Sequence, residues 1–136
     1  MSVTLSHPLV IKRVVSSVVT GITITASSSP GTVVTTGAVV VGLDTLYALL
    51  VGSVSIYNPL SSATTGTIQV FAGSTYMNLG TVTVPAAGYS QATVNYVFSQ
   101  LQGMLPLGVN TIGLAVYGVS GLVVNIAEMS VITMGV

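Results

Sequence analysis

Side chains able to do chemistry are scarce in this chain. Asp44 and Glu128 are its carboxylates, Lys12 and Arg13 its bases and His7 its one histidine among 136 residues, with no cysteine and no tryptophan. A glycosidase needs two carboxylates facing one cleft about 5–10 Å apart. Two lone acids in a charge-poor chain read instead as ion-pair partners of Lys12 and Arg13 or as solubility residues. A Ser-His-Asp triad can formally be drawn from His7, Asp44 and any of many serines, yet no G-x-S-x-G elbow occurs. A histidine preceding Pro8 reads as exposed or capping. One histidine cannot build a four-ligand metal site, and neither G-x-G-x-x-G nor a Walker motif is present. The expectation is a protein without catalytic residues, metal or cofactor.

The same scarcity bounds the partners. Two basic residues do not make the phosphate-binding footprint that nucleic acid requires, nor a polybasic membrane anchor. Adjacent side chains on a strand point to opposite faces, so Lys12 and Arg13 cannot serve one site. An unpaired buried charge is costly. At least one of Lys12, Arg13, Asp44 and Glu128 is therefore expected to be partly buried and paired, within or between subunits. Six tyrosines are the available platforms for stacking on sugars. Tyr76 and Tyr89 fall in turn-like stretches, with Asn78, Gln91 and Asn95 as neutral polar partners. Tyr57, Tyr96 and Tyr117 read as core rings with hydroxyls at the rim.

Apolar residues make up 51% of the chain and charged residues 3%, where a soluble domain carries about 25% charge. Disordered chains are poor in apolar residues, so disorder is not expected. With a net charge of zero, the surface must be Ser, Thr, Asn, Gln and Gly, or be covered by neighbours. That deficit points to an assembly subunit. The window Gly37–Tyr57 is long enough to span a membrane, but Asp44, its valines and the alternation of Ser53–Tyr57 argue for strands. Lys12-Arg13 before Val14–Ile24 resembles a secretory leader only weakly, because Ser16, Ser17, Thr20, Gly21 and Thr23 break the apolar run. Either secretion is absent or its signal is not part of this sequence.

The elements that must carry these residues are strands. Thr67–Ala72, Gly80–Val84, Ala92–Phe98, Thr111–Tyr117 and Leu122–Thr133 alternate with Gly- and Pro-rich turns every 8–12 residues or so, the mark of an all-β sandwich. Upstream, Ser2–Ser6 alternates until His7-Pro8 interrupts it. Leu9–Val19 and Ile22–Ala26 are rich in β-branched residues, with Gly21 as a bend. Ser27–Gly31 is a loop, Val33–Val41 a strand buried on both faces at Val39–Val41, and Ser53–Tyr57 another strand. Leu43–Val51 has the spacing of a helical turn at Leu43, Leu46, Tyr47 and Leu50, but its bracketing glycines favour strand. No repeat of 20–50 residues stands out.

The second half resembles a known family. Ile68–Ala72, Leu79-Gly80-Thr81-Val82-Thr83-Val84-Pro85-Ala86-Ala87-Gly88, Leu105-Pro106-Leu107-Gly108-Val109-Asn110-Thr111-Ile112-Gly113-Leu114 and Val124-Asn125-Ile126 follow one another. That order is similar to the jelly-roll β-sandwich of galactose-binding-like, carbohydrate-binding modules. The resemblance covers residues 66–134 and implies the fold. Where such modules have N-I-D, this chain has Asn125-Ile126-Ala127, with Glu128 one place later. One residue of offset turns a side chain to the other face, so no calcium or sugar role is carried over to it.

Residues 1–26 lie outside the resemblance, and residues 27–136 are read as the sandwich domain. A strand arm with an apolar face either folds into its own sandwich or inserts into a neighbour by strand addition. The second contact is head-to-tail and generates rings or filaments. Val10, Val14, Val18, Ile22 and Ile24 are the expected anchors, with Leu9, Ile11, Val15 and Val19 on the alternate face. In its Val/Thr/Ser/Gly-rich, charge-poor character the chain is similar to β-sandwich subunits of archaeal extracellular filaments and viral fibres. The expected whole is a single jelly roll that polymerises with copies of itself, through strand complementation, into an extracellular or virion-associated filament or a capsid. A carbohydrate-binding module that engages cell-surface glycans through Tyr76, Asn78, Tyr89 and Gln91 is the alternative.

Overall fold

The computed structural model describes residues 8–136, so Ser2–Ser6 and His7 lie outside the described residues. Its regular elements are eight strands: β1 Val10–Thr23, β2 Thr32–Val41, β3 Thr45–Asn58, β4 Thr64–Ala72, β5 Thr75–Val84, β6 Gly88–Ser99, β7 Gly108–Gly118 and β8 Val123–Gly135. Two four-stranded sheets result, sheet A in the order β1-β8-β3-β6 and sheet B in the order β2-β7-β4-β5. All their ladders are antiparallel. Eight strands exchanging between two sheets in this order make a jelly roll, the fold expected from the turn spacing.

Alternation of burial holds the layers together. Ala48, Leu50, Val54 and Ile56 of β3 are fully buried and meet Ile112, Leu114 and Val116 of β7 in one core. The residues between those of β3, from Tyr47 to Tyr57, are only half-buried and point outward. Phe98 is buried among the core side chains, and Leu105 and Leu122 add further buried contacts from the connections. Burying side chains of this size contributes about 1.5–3 kcal/mol each.

Three local expectations change. Leu43–Val51 and Ser53–Tyr57 are not separate elements, because β3 runs unbroken through Gly52. A Cβ at Gly52 would run into the Glu128 carbonyl of β8, so the glycine permits close strand approach rather than a break. Gly80–Val84 is only the end of β5, which begins at Thr75, so Tyr76 lies on a strand; Tyr89 likewise belongs to β6. Val39 and Val41 are buried, but Val40 is exposed. Val39–Val41 therefore alternates in the way of a strand covered on one face.

β1 pairs with β8 of its own chain from Val10–Gly135 to Thr23–Val123 and forms an edge of sheet A. Two irregularities set which of its faces looks inward. The register shifts between Ile11 and Arg13, leaving Lys12 as an extra residue. Further along, Gly21 takes φ 70° opposite Asn125, the residue skipped where β8 shifts register against β3. Val124 and Ala127 are consequently both fully buried although three residues apart, which a regular strand cannot achieve.

Candidate assembly surface

The outer face of sheet A is built from side chains that cross-strand register aligns in rows. Val14, Ile132, Leu49 and Val97 stand side by side across all four strands. Beside them Ile11, Met134 and Tyr47 form a second apolar row. Ile11 is 65% exposed, Val14 54% and Val97 48%. Further along come Ser16, Ser130, Val51 and Asn95, then Val18, Glu128, Ser53 and Thr93. At the far end Tyr57 and Tyr89 pack with ring centroids 4.7 Å apart. Within these rows Glu128 is the one charged side chain.

Glu128 borders a shallow depression of about 330 Å³ whose lining includes Ser16, Val18, Gly52, Ser53 and Ser130. Small side chains open it, and the Ser16 and Ser130 hydroxyls bond each other at 2.9 Å across the β1–β8 ladder. Lys12 Nζ donates to Asp44 Oδ2 and to the Val136 carbonyl, both at 2.9 Å. That ion pair is half exposed, the Lys12 side chain at 31% and that of Asp44 at 58%. The Lys12 hydrogen bond and charge hold the Asp44 carboxyl below its ordinary value. Among the described residues, Arg13 and Glu128 have no ion-pair partner.

The proposed arm anchors divide between faces. Val10, Val14 and Val18 are exposed, Ile22 packs partly buried against the core and Ile24 is fully buried. Val15 and Val19 of the alternate set share the half-buried inward side of β1, while Leu9 and Ile11 are exposed. The four residues named for sugar contact are not brought together. Tyr76 and Asn78 sit on β5 in sheet B, and Tyr89 and Gln91 on β6 in sheet A.

On sheet B the outer surface is knitted by polar contacts that the sequence did not reveal. Gln69, 1% exposed, donates to Ser29 Oγ at 2.9 Å and Asn78 Oδ1 at 2.8 Å, and accepts from the Gly31 N–H at 2.8 Å. Asn78 in turn donates to the Tyr117 hydroxyl at 3.2 Å. Tyr76 stacks on Phe71 at 4.8 Å. The loop Ser27–Gly31 is thus pinned onto sheet B. The available signal was a lone amide within the apolar run Thr67–Ala72. Tyr117 is half-buried in this network, and Tyr57 lies on the outer face of sheet A; Tyr96 alone of the three expected core rings packs against the core.

Among the described residues no group of three His, Cys, Asp or Glu could hold a metal ion, and no helix is long and apolar enough to cross a membrane. The strand order defines an all-β jelly-roll protein. No protein-family model and no curated protein matches the chain. Solved structures similar to it include one of the infectious bursal disease virus Gx strain, at 9% identity and TM-score 0.45, with 92% of this chain and 38% of that one covered. Another is the CBM36-1 domain of a multidomain xylanase from the hindgut metagenome of Trinervitermes trinervoides, at 14% identity and TM-score 0.40, covering 85% and 95%. The STIV MCP matches at 14% identity and TM-score 0.39, covering 89% of this chain and 48% of that one.

Proposed function

We propose that this chain is a structural subunit that assembles with copies of itself into a virion-associated or extracellular shell or filament. The observation that carries the reading is the outer face of sheet A, where two apolar rows and one charge stand on a chain that is 3% charged. Its strands are 12 to 14 residues long. At about 4.8 Å between strands and 3.3 Å per residue the face measures on the order of 800 Å². A standard protein interface covers about 800 Å² per partner, with charge depleted at its centre. A charge-poor face of that size fits a second copy of an equally charge-poor chain.

β1 is the docking strand in this proposal. It fills in its own chain the slot beside β8 that strand complementation would fill from a neighbour. Exchange of identical strands adds no new contact type and is a low-cost route to association. Residues 1–26 are then the exchangeable arm and residues 27–136 the receiving sandwich. Negative-stain microscopy of the purified full chain tests the reading. Regular filaments or closed shells support it. A dispersed monomer that is retained on a polysaccharide column would instead favour the glycan-binding alternative.

A further inference from the structure

Resting on that reading, we propose a specific link between copies: Arg13 of one subunit docks in the depression beside Glu128 of the next. Of the four charged residues, Lys12 and Asp44 neutralise each other within the chain. Among the described residues one exposed cationic side chain, Arg13, and one exposed anionic side chain, Glu128, remain. They cannot meet in their own subunit. Arg13 lies opposite the buried Thr133, on the inward side of sheet A, whereas Glu128 pairs with Val18 and faces outward. Five residues of strand also separate Arg13 from Val18, about 17 Å at strand rise.

Each group is placed to meet its counterpart on a neighbour. Val15, two residues from Arg13 on the same side of β1, lies against Gly37 of β2. Arg13 therefore emerges where the β1 and β2 edges of the two sheets come together. Glu128 stands in the middle of the sheet A face, beside a depression of about 330 Å³ whose lining includes Ser16, Ser53 and Ser130. A guanidinium presents five donors and no acceptor, matching a carboxylate beside a depression lined with serines. The contact joins the edge of one copy to the face of the next. Because the two patches differ, it is heterologous and propagates in one direction. Opposite charges seated in a largely apolar face also fix the register between copies.

Charge reversal on the full-length chain tests the link, with sedimentation velocity reading the concentration at which assembly begins. Arg13→Glu alone places two carboxylates at the contact, and Glu128→Arg alone places two guanidiniums there. Each is expected to raise that concentration at least about 10-fold, the scale of close interfacial charge pairs. Circular dichroism is expected to show both variants folded, since both positions are exposed. An equimolar mixture of the two is expected to assemble near the wild-type concentration. Alternating copies then put opposite charges at every contact, the native Arg13–Glu128 pair at one and the same pair with its charges exchanged at the next. Singles that assemble like wild type, or a mixture that fails to recover, overturn the link and leave the assembly reading standing. A wild-type chain that never assembles overturns both.

Discussion

Gln69 and Asp44 show how differently single polar residues contribute in a chain so poor in charge. The Gln69 amide is buried and satisfied on every side, by Ser29, Gly31 and Asn78. Truncating it leaves the Gly31 N–H without its acceptor and frees the loop from sheet B. Gln69→Ala is expected to lose about 1–3 kcal/mol, measured as the shift in urea midpoint. Asp44 is exposed, and its link to Lys12 is open to solvent, so its effect is small and screened by salt. Its carboxyl is held below the ordinary value, so its contribution is present above that value. The contribution falls away as pH drops from the ordinary carboxylate range through the lowered folded-state pKa. Lys12→Met is expected to weaken this acid-side dependence of the melting temperature while changing neutral-pH stability little.

Strands carry the next level of explanation, and here the sequence was legible in part. Turn spacing from Gly66 onward leads to the right fold class, and β6 shows the period-two alternation in burial. β4 and β7 are read instead from their apolar runs, since Ile68–Ala72 and Ile112–Val116 are buried at every position. The faces of β1 were not legible, because an extra residue at Lys12 and the paired irregularity at Gly21 and Asn125 each move side chains to the other face. Gly52 reads as a break in sequence, yet it is where β3 and β8 approach too closely for a Cβ. Gly52→Ala is expected to cost about 1–3 kcal/mol through the clash with the Glu128 backbone, read from thermal or urea unfolding. The apolar rows of sheet A combine residues from four distant strands, so only register reveals them. Strand exchange has its own test, since Ser16 and Ser130 are cross-strand partners in a chain without cysteine. In Ser16→Cys/Ser130→Cys, oxidised after assembly, exchanged β1 strands are expected to yield covalent ladders on a non-reducing gel. Cross-links confined to single chains would mean that β1 stays home.

At the scale of the molecule, the jelly roll has a covered core and two unlike outer faces. Sheet B is overlaid by its own Ser27–Gly31 loop and the Gln69 network. Sheet A presents apolar rows with one carboxylate. β1 is an edge of sheet A and β2 an edge of sheet B, and their free sides each leave a row of backbone groups available for pairing. Deleting β1 to test assembly would strip the ladder from β8 and remove Ile22 from against the core, so loss of folding would obscure the result. Surface substitution is the cleaner probe. Val14→Lys and Val97→Lys place charges at the two ends of one outward row, and because both positions are exposed the fold is expected to stay intact. Together they are expected to abolish assembly while the thermal midpoint stays within a few degrees of wild type.

Self-assembly is tested by a concentration series of the full-length wild-type chain in sedimentation velocity at neutral pH. An assembling chain is expected to give a boundary that moves from a slow species of 13.7 kDa to fast, large species as concentration rises, reversed by the two lysine substitutions. A single 13.7 kDa species at every concentration would contradict self-assembly.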